Sequence, residues 1–187
     1  MTEEEKKILL KDLTARLSYG VKAKVNGHNN PITIYSIEKL AKSTWAWRKG
    51  TWIASLWNDT KTLENIKPYL RPMESMTEEE MGEYAKFKLS YDDVYEFTDF
   101  RATGKGFINV HTSCKNGGVG YTFQVNNRTM LYDGVIGIDW LNAHHFDYRG
   151  LIGMGLALEA PEGLYDGRIN EIQFLRGEFD KGTIKNI

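Results

Sequence analysis

Apolar positions near the start of the chain recur at helical spacing. Leu9, Leu13 and Leu17 follow one another at i, i+4 and i+8, and Ile8 and Leu10 widen the stripe. Thr2 and Glu5 stand in the T-x-x-E spacing of a capping box, and Gly20 is a natural stop, so a helix is predicted between them. The period then drops to two. VKAKV (21–25) alternates apolar and basic residues as a half-buried strand does, and ITIYSI (32–37) reads as a second strand that pairs with it across the turn residues Asn26–Pro31. Residues 38–44 allow one helical turn. TWAWRKGTWIASLW (44–57) predicts a hairpin about Lys49-Gly50, followed by a turn at Asn58-Asp59 and a short strand at TLENI (62–66). Pro68 and Pro72 bracket an extended segment.

Two overlapping boxes, Ser75 with Glu78 and Thr77 with Glu80, open a second helix over 77–88. From Tyr91 the alternation returns in VYEFTDF, GFINVHTS and GYTFQVNN, separated by glycine-rich turns such as Asn116-Gly117-Gly118. GIDWLNAHHF (137–146) predicts a short helix near 139–146 with Asp139 as its cap, and INEIQFL (169–175) is the clearest strand of the tail. The fold class is α+β. An N-terminal helix accompanies a small antiparallel sheet able to close as an SH3-like β-barrel, then come a helix and a second antiparallel β-rich portion. The expected division is 1–90, the helix with the basic, aromatic barrel region and the acidic helix, and 91–187, the β-rich portion.

Composition narrows the class. At 187 residues, 41% hydrophobic and 12% aromatic, the chain suits one domain or a compact core with an added lobe. No apolar run approaches the roughly 18 residues of a membrane span. MTEEEKKILLKDL lacks the basic start of a signal peptide, and a single cysteine, Cys114, rules out an internal disulfide framework and a cysteine-based zinc cluster. A cytoplasmic protein is expected, without membrane association. The net charge of −1 hides a partition: residues 16–72 carry +7 and residues 73–99 carry −7. Such segregation suits an anion-binding face, and it equally suits two stretches that lie side by side and neutralise each other.

Three stretches, LLKDLTARLSYGVKAKV (9–25), IKPYLRPMESMTEEEMGEY (66–84) and IDWLNAHHFDYRGLIGMGLALEAPEGLY (138–165), together resemble a family of small accessory proteins encoded by phages and prophages of gut anaerobes. That family usually has proline where Ser18 stands, and it carries less sequence between the second and third blocks. The resemblance implies a phage-related origin and a life inside a bacterial host cell, and it transfers no active site.

No catalytic or metal motif is expected. His144 and His145 are adjacent, so on a helix they diverge by about 100° and cannot easily grip one ion together. With Asp147 and the distant His111 they would form a phosphodiesterase or nuclease centre only by converging. A histidine at a helix end, bonded to backbone or carboxylate, explains the same residues. CKNGGVGYT (114–122) lacks both phosphate-loop spacings and reads as a hairpin turn. Cys114 could act as a nucleophile with His111, but a lone Cys–His pair is weak evidence for that chemistry. No cofactor is implied.

The most informative constellation is aromatic and basic. Four of the five tryptophans lie in 45–57, interleaved with Arg48 and Lys49, and Tyr69 and Arg71 follow. Aromatic faces stack on bases and guanidinium groups fork onto phosphates, so Trp47, Arg48, Trp52, Tyr69 and Arg71 are candidate ligand-binding residues, with Tyr148 and Arg149 as a second pair. Core packing accounts for the same tryptophans as well. The expected function is a non-enzymatic phage accessory binding protein that sequesters an anionic small molecule such as a nucleotide signal of antiviral defence. The alternatives are a protein–protein inhibitor that blocks a host protein with its acidic or aromatic surface, and the histidine-based hydrolase. Abundant aromatic residues in short strands also predict a homo-oligomer, most simply a dimer.

Overall fold

The computed structural model describes residues 1–39, 52–56, 60–129 and 134–165. The chain is α+β and divides into two units, Met1–Leu70 together with the segment that begins at Arg149, and Arg71–Tyr148. In place of a division near residue 90, the chain leaves the first unit after Leu70 and re-enters it at Arg149. The second unit is thus an insertion between two parts of the first. The hairpin at Lys49-Gly50, the turn at Asn58-Asp59 and the strand at 169–175 lie outside the described residues.

The first unit contains α1 (Glu3–Arg16), β1 (Lys22–Val25), β2 (Ile32–Thr33), β3 (Ser36–Lys39), β4 (Trp52–Ser55), β5 (Thr60–Thr62) and β6 (Ile66–Leu70). The predicted capping box is formed: the Glu5 amide donates to the Thr2 hydroxyl at 3.2 Å, and the Thr2 amide donates to the Glu5 carboxylate at 2.6 Å. The helix runs into a 3₁₀ turn over Leu17–Tyr19, and Gly20 closes it in the left-handed region at φ 65°. β1 buries Ala23 and Val25 while its lysines remain partly exposed, as alternation requires.

ITIYSI is two strands rather than one. β2 pairs with β1, whereas β3 joins β4 and β5 in a separate sheet. Between them the buried Ile34 donates its amide to Val21 and Tyr35 donates to Ser55, so the backbone passes from one sheet to the other without an unpaired step. TLENI likewise resolves into the end of β5, a 3₁₀ turn over Leu63–Asn65, and the start of β6. β6 lies antiparallel to β1, and among the described residues neither sheet of this unit closes into a barrel. The core gathers Leu9 and Leu13 of α1 with Val21, Ile34, Ile66 and Leu70.

One feature of this core is ionic. Asp12 and Arg16, on the same face of α1 as Leu9 and Leu13, are both 0% exposed. Arg16 grips the Asp12 carboxylate with Nε at 2.8 Å and Nη2 at 3.0 Å, and Arg149, where the chain re-enters the unit, donates to Asp12 from Nε at 3.2 Å.

The second unit contains α2 (Glu78–Leu89), β7 (Tyr95–Ala102), β8 (Ile108–Cys114), β9 (Thr122–Val125) and α3 (Gly134–Ala143). Thr77 with Glu80 caps α2, whereas the Ser75 hydroxyl turns back to the Pro72 carbonyl at 2.8 Å and caps nothing. The three strands form an antiparallel meander. A bulge between Phe97 and Asp99 shifts the alternation of β7, which lets both Phe97 and Phe100 pack on the core. The helix predicted near 139–146 begins earlier, so Asp139 lies inside α3 and is not its cap. Gly137 is required for close packing: a Cβ there would stand 2.0 Å from the Tyr84 hydroxyl. Tyr84 in turn meets Trp140 edge to face, with centroids 5.3 Å apart. Back in the first unit, β10 (Leu158–Glu159) extends its sheet by lying parallel to β6, giving the order β10-β6-β1-β2.

Removing the Asp12 carboxylate leaves the buried Arg16 and its neighbour Arg149 without their shared counter-charge. We expect Asp12→Ala to lose about 3–5 kcal/mol of unfolding free energy in a denaturant titration. The triple change Asp12→Leu, Arg16→Met, Arg149→Met should recover most of that loss, because apolar side chains of similar volume incur no charge desolvation.

Candidate functional site

DWLNAHHFDYRG is a helix ending. His145 takes the left-handed conformation at φ 60°, its amide donates to Asn142, and the Phe146 amide donates to Leu141. These are the two hydrogen bonds of a Schellman stop, here with histidine in the position glycine usually fills. Leu141 and Phe146, the hydrophobic pair that accompanies such a stop, both lie in the core. His144 lies over Trp140 with ring centroids 3.7 Å apart, and its Nδ1 donates to the Trp140 carbonyl at 2.9 Å. Burial pushes the His144 imidazole below its usual range, against the opposing pull of that carbonyl and of Glu80. His111 is on β8 with Nδ1 2.9 Å from the Thr122 hydroxyl, and Cys114 is three positions along the same strand, which places the two side chains on opposite faces. Among the described residues no three His, Cys, Asp or Glu side chains gather to hold a metal ion.

Two of the arginines expected to bind a ligand, Arg71 and Arg149, hold carboxylates of the protein itself. Arg71 forms a two-pronged pair with Glu80, Nη1 at 2.6 Å and Nη2 at 2.9 Å, and its guanidinium lies 4.3 Å above the centre of the Phe146 ring. The backbone of Arg71 is tied as well, its amide donating to His145 and its carbonyl accepting from Asp147. Arg149 holds Asp12 as described, and the Tyr148 hydroxyl donates to Asn142 at 3.0 Å. Tyr69 lies on β6, where its carbonyl accepts from the Tyr165 hydroxyl at 2.8 Å. Trp52 opens β4, its backbone paired with Lys39. Trp47 and Arg48 lie outside the described residues. The carboxyl of Glu80 is raised by burial but lowered further by the Arg71 fork and the Thr77 amide, so it sits below its ordinary range.

A cavity of about 190 Å³ opens in the second unit between α2 and β9. Tyr84, Leu89, Tyr121 and Phe123 supply aromatic and aliphatic wall, and Lys88 and Asp92 supply charge. The elements place these residues for simple reasons. Lys88 and Leu89 end α2, Asp92 follows in the turn that leads to β7, and Phe123 is an inward position of β9. Tyr121 meets Tyr95 edge to face at 4.6 Å and Phe123 at 5.4 Å, yet remains 44% exposed. The close turn before it depends on Gly120, where a Cβ would fall 1.8 Å from the Thr112 carbonyl oxygen. Burial, then the Asp92 carboxylate, pushes the Tyr121 phenol up, so it stays protonated. Lys88, Asp92 and Tyr121 escape a sequence reading because nothing in their spacing links a helix end to a strand start thirty residues on. Asp92-Asp93 directly after a helix is the one local hint.

Two predictions follow from these contacts. Arg71→Ala should lower unfolding free energy by about 1.5–3 kcal/mol, since its fork is a structural bond to a charged group. Stability should also decline with acid in two stages. Between the lowered folded value of His144 and its ordinary 6.5, the unfolded chain binds a proton that the folded one refuses, so stability present above pH 6.5 is lost progressively below it. Glu80, ordinarily 4.5, adds a further loss as pH falls from there through its lower folded value. Denaturant titrations from pH 3 to 8 should show both stages, with the first absent in His144→Gln.

Compared with protein-family models, curated proteins and solved structures, the chain matches none.

Proposed function

We propose that this protein is a non-enzymatic binding protein, a phage accessory factor acting inside a bacterial cell, and that its ligand is a nucleotide whose base enters the cavity of the second unit. The observation that carries this reading is the composition of the cavity wall: the exposed ring of Tyr121 beside Phe123, with the cation of Lys88 at the same cavity. A base stacked on an aromatic ring gains about 1–3 kcal/mol, and an ammonium beside it suits the phosphate. The volume, about 190 Å³, is below the roughly 300–1,000 Å³ of pockets for drug-sized ligands, so one ring system enters and the sugar and phosphate remain outside. Sequestration, binding without turnover, is the role assigned to this site. The resemblance to phage accessory proteins supports a role in which the captured nucleotide is a signal of the host's antiviral defence.

Titration calorimetry and native mass spectrometry against linear and cyclic nucleotides test this. At least one should bind at micromolar concentration and be recovered with unchanged mass, and Tyr121→Ala should weaken it by about 1–3 kcal/mol. Failure of every nucleotide to bind would overturn the reading, and recovery of a hydrolysed product would replace sequestration with catalysis.

A further inference from the structure

Asp92 closes the turn after α2 through an Asx turn of its own side chain. The backbone amides of Val94 and Tyr95 both donate to its Oδ1, each at 2.8 Å, which uses both lone pairs of that oxygen. Among the described residues no donor reaches Oδ2. Lys115, the cation nearby, donates to the main-chain carbonyl of Asp92 and not to its carboxylate. The Tyr95 and Val94 amides, with Lys115 adding its charge, hold the Asp92 carboxyl below its usual range. Asp92 lines the cavity together with Tyr121 and Phe123, and its carboxylate, ionised at neutral pH, only accepts hydrogen bonds.

We propose that Asp92 is a specificity-determining residue that selects a base with two adjacent N–H donors on its pairing edge, the guanine class. This rests on the cavity being the nucleotide site. Oδ2 has two lone pairs, and a ring N–H beside an exocyclic amino group offers two donors to them. Both bonds are charge-assisted. A base with a carbonyl in place of that amino group sets an acceptor against an acceptor, and the carboxylate charge makes the mismatch worse. Discrimination then comes from a repelled competitor as well as from a favoured ligand.

The test uses three nucleotides of one shape. Guanosine monophosphate has both donors, inosine monophosphate lacks the amino group, and xanthosine monophosphate carries a carbonyl there. The native protein should bind the guanosine form about 10- to 100-fold more tightly than either of the others in calorimetric titration. Asp92→Asn keeps Oδ1 for the two backbone amides and turns the second position from acceptor to donor. It should weaken guanosine monophosphate by a similar factor and reverse the order of guanosine and xanthosine. Equal binding of all three by the native protein would overturn the role of Asp92 and leave the cavity as a nucleotide site. Binding of none, or binding that Tyr121→Ala leaves unchanged, would overturn the site itself. The native comparison needs no variant, so it decides the matter even if Asp92→Asn unfolds.

Discussion

The first unit is organised around a carboxylate that water does not reach. Asp12 is wholly buried, so its charge has to be answered by protein groups, and Arg16 and Arg149 answer it. Arg16 sits one turn along the same helix, so half of the arrangement is local. Arg149 arrives from 137 residues away, at the point where the chain returns from the inserted unit. The ionic contact thus joins α1 to the segment that goes on to supply Leu151, Leu156 and β10. An apolar pair would hold the same surfaces together but would tolerate sliding. A forked arginine on a carboxylate fixes direction and register, which is what a returning chain end needs.

Arg71 does for the second unit what Arg149 does for the first. Its guanidinium joins the start of α2, through Glu80, to the end of α3, through Phe146. Its backbone bridges to the residues just past the Schellman stop. Most positions of the sequence DWLNAHHFDYRG therefore have a structural role. Trp140 and His144 stack, Leu141 and Phe146 close the hydrophobic pair, Asn142 takes the Tyr148 hydroxyl, and His145 makes the turn. His144 and His145, acid–base candidates in one dimension, help to fasten a helix end in three.

The proposed binding site lies elsewhere, at the end of the unit where α2 stops and β9 begins. Exposed Tyr121 and the fully oriented carboxylate of Asp92 meet there, with Lys88 at the last turn of the helix. Each is placed by elements that pack for their own reasons: the meander sets Tyr121, the bulge in β7 keeps Phe97 and Phe100 on the core, and Gly137 lets α3 approach Tyr84.

Local patterns in the sequence determined much of this protein. The capping box at Thr2 and Glu5, the one at Thr77 and Glu80, the left-handed stop at Gly20, the alternation of β1 and the three-strand meander all follow from side-chain period, cap chemistry and glycine geometry within a few residues. Those rules are short-ranged, so they need no knowledge of the fold. The division of 32–37 between two sheets, the early start of α3 and, among the described residues, the open form of the sheets depend on which distant backbone groups remain to be paired. No local rule contains that. The same holds for the arginines. Sequence presents Arg71 and Arg149 as free forks, and only the tertiary structure supplies Glu80 and the buried Asp12. Asp12 and Arg16 stood in i, i+4 register on the apolar stripe, so their pairing was legible. Their complete burial was not, because the third partner comes from the far end of the chain. The cavity residues lie furthest from prediction: Lys88, Asp92 and Tyr121 share a site only because a helix end and a strand start pack together, and packing is decided by the whole core at once.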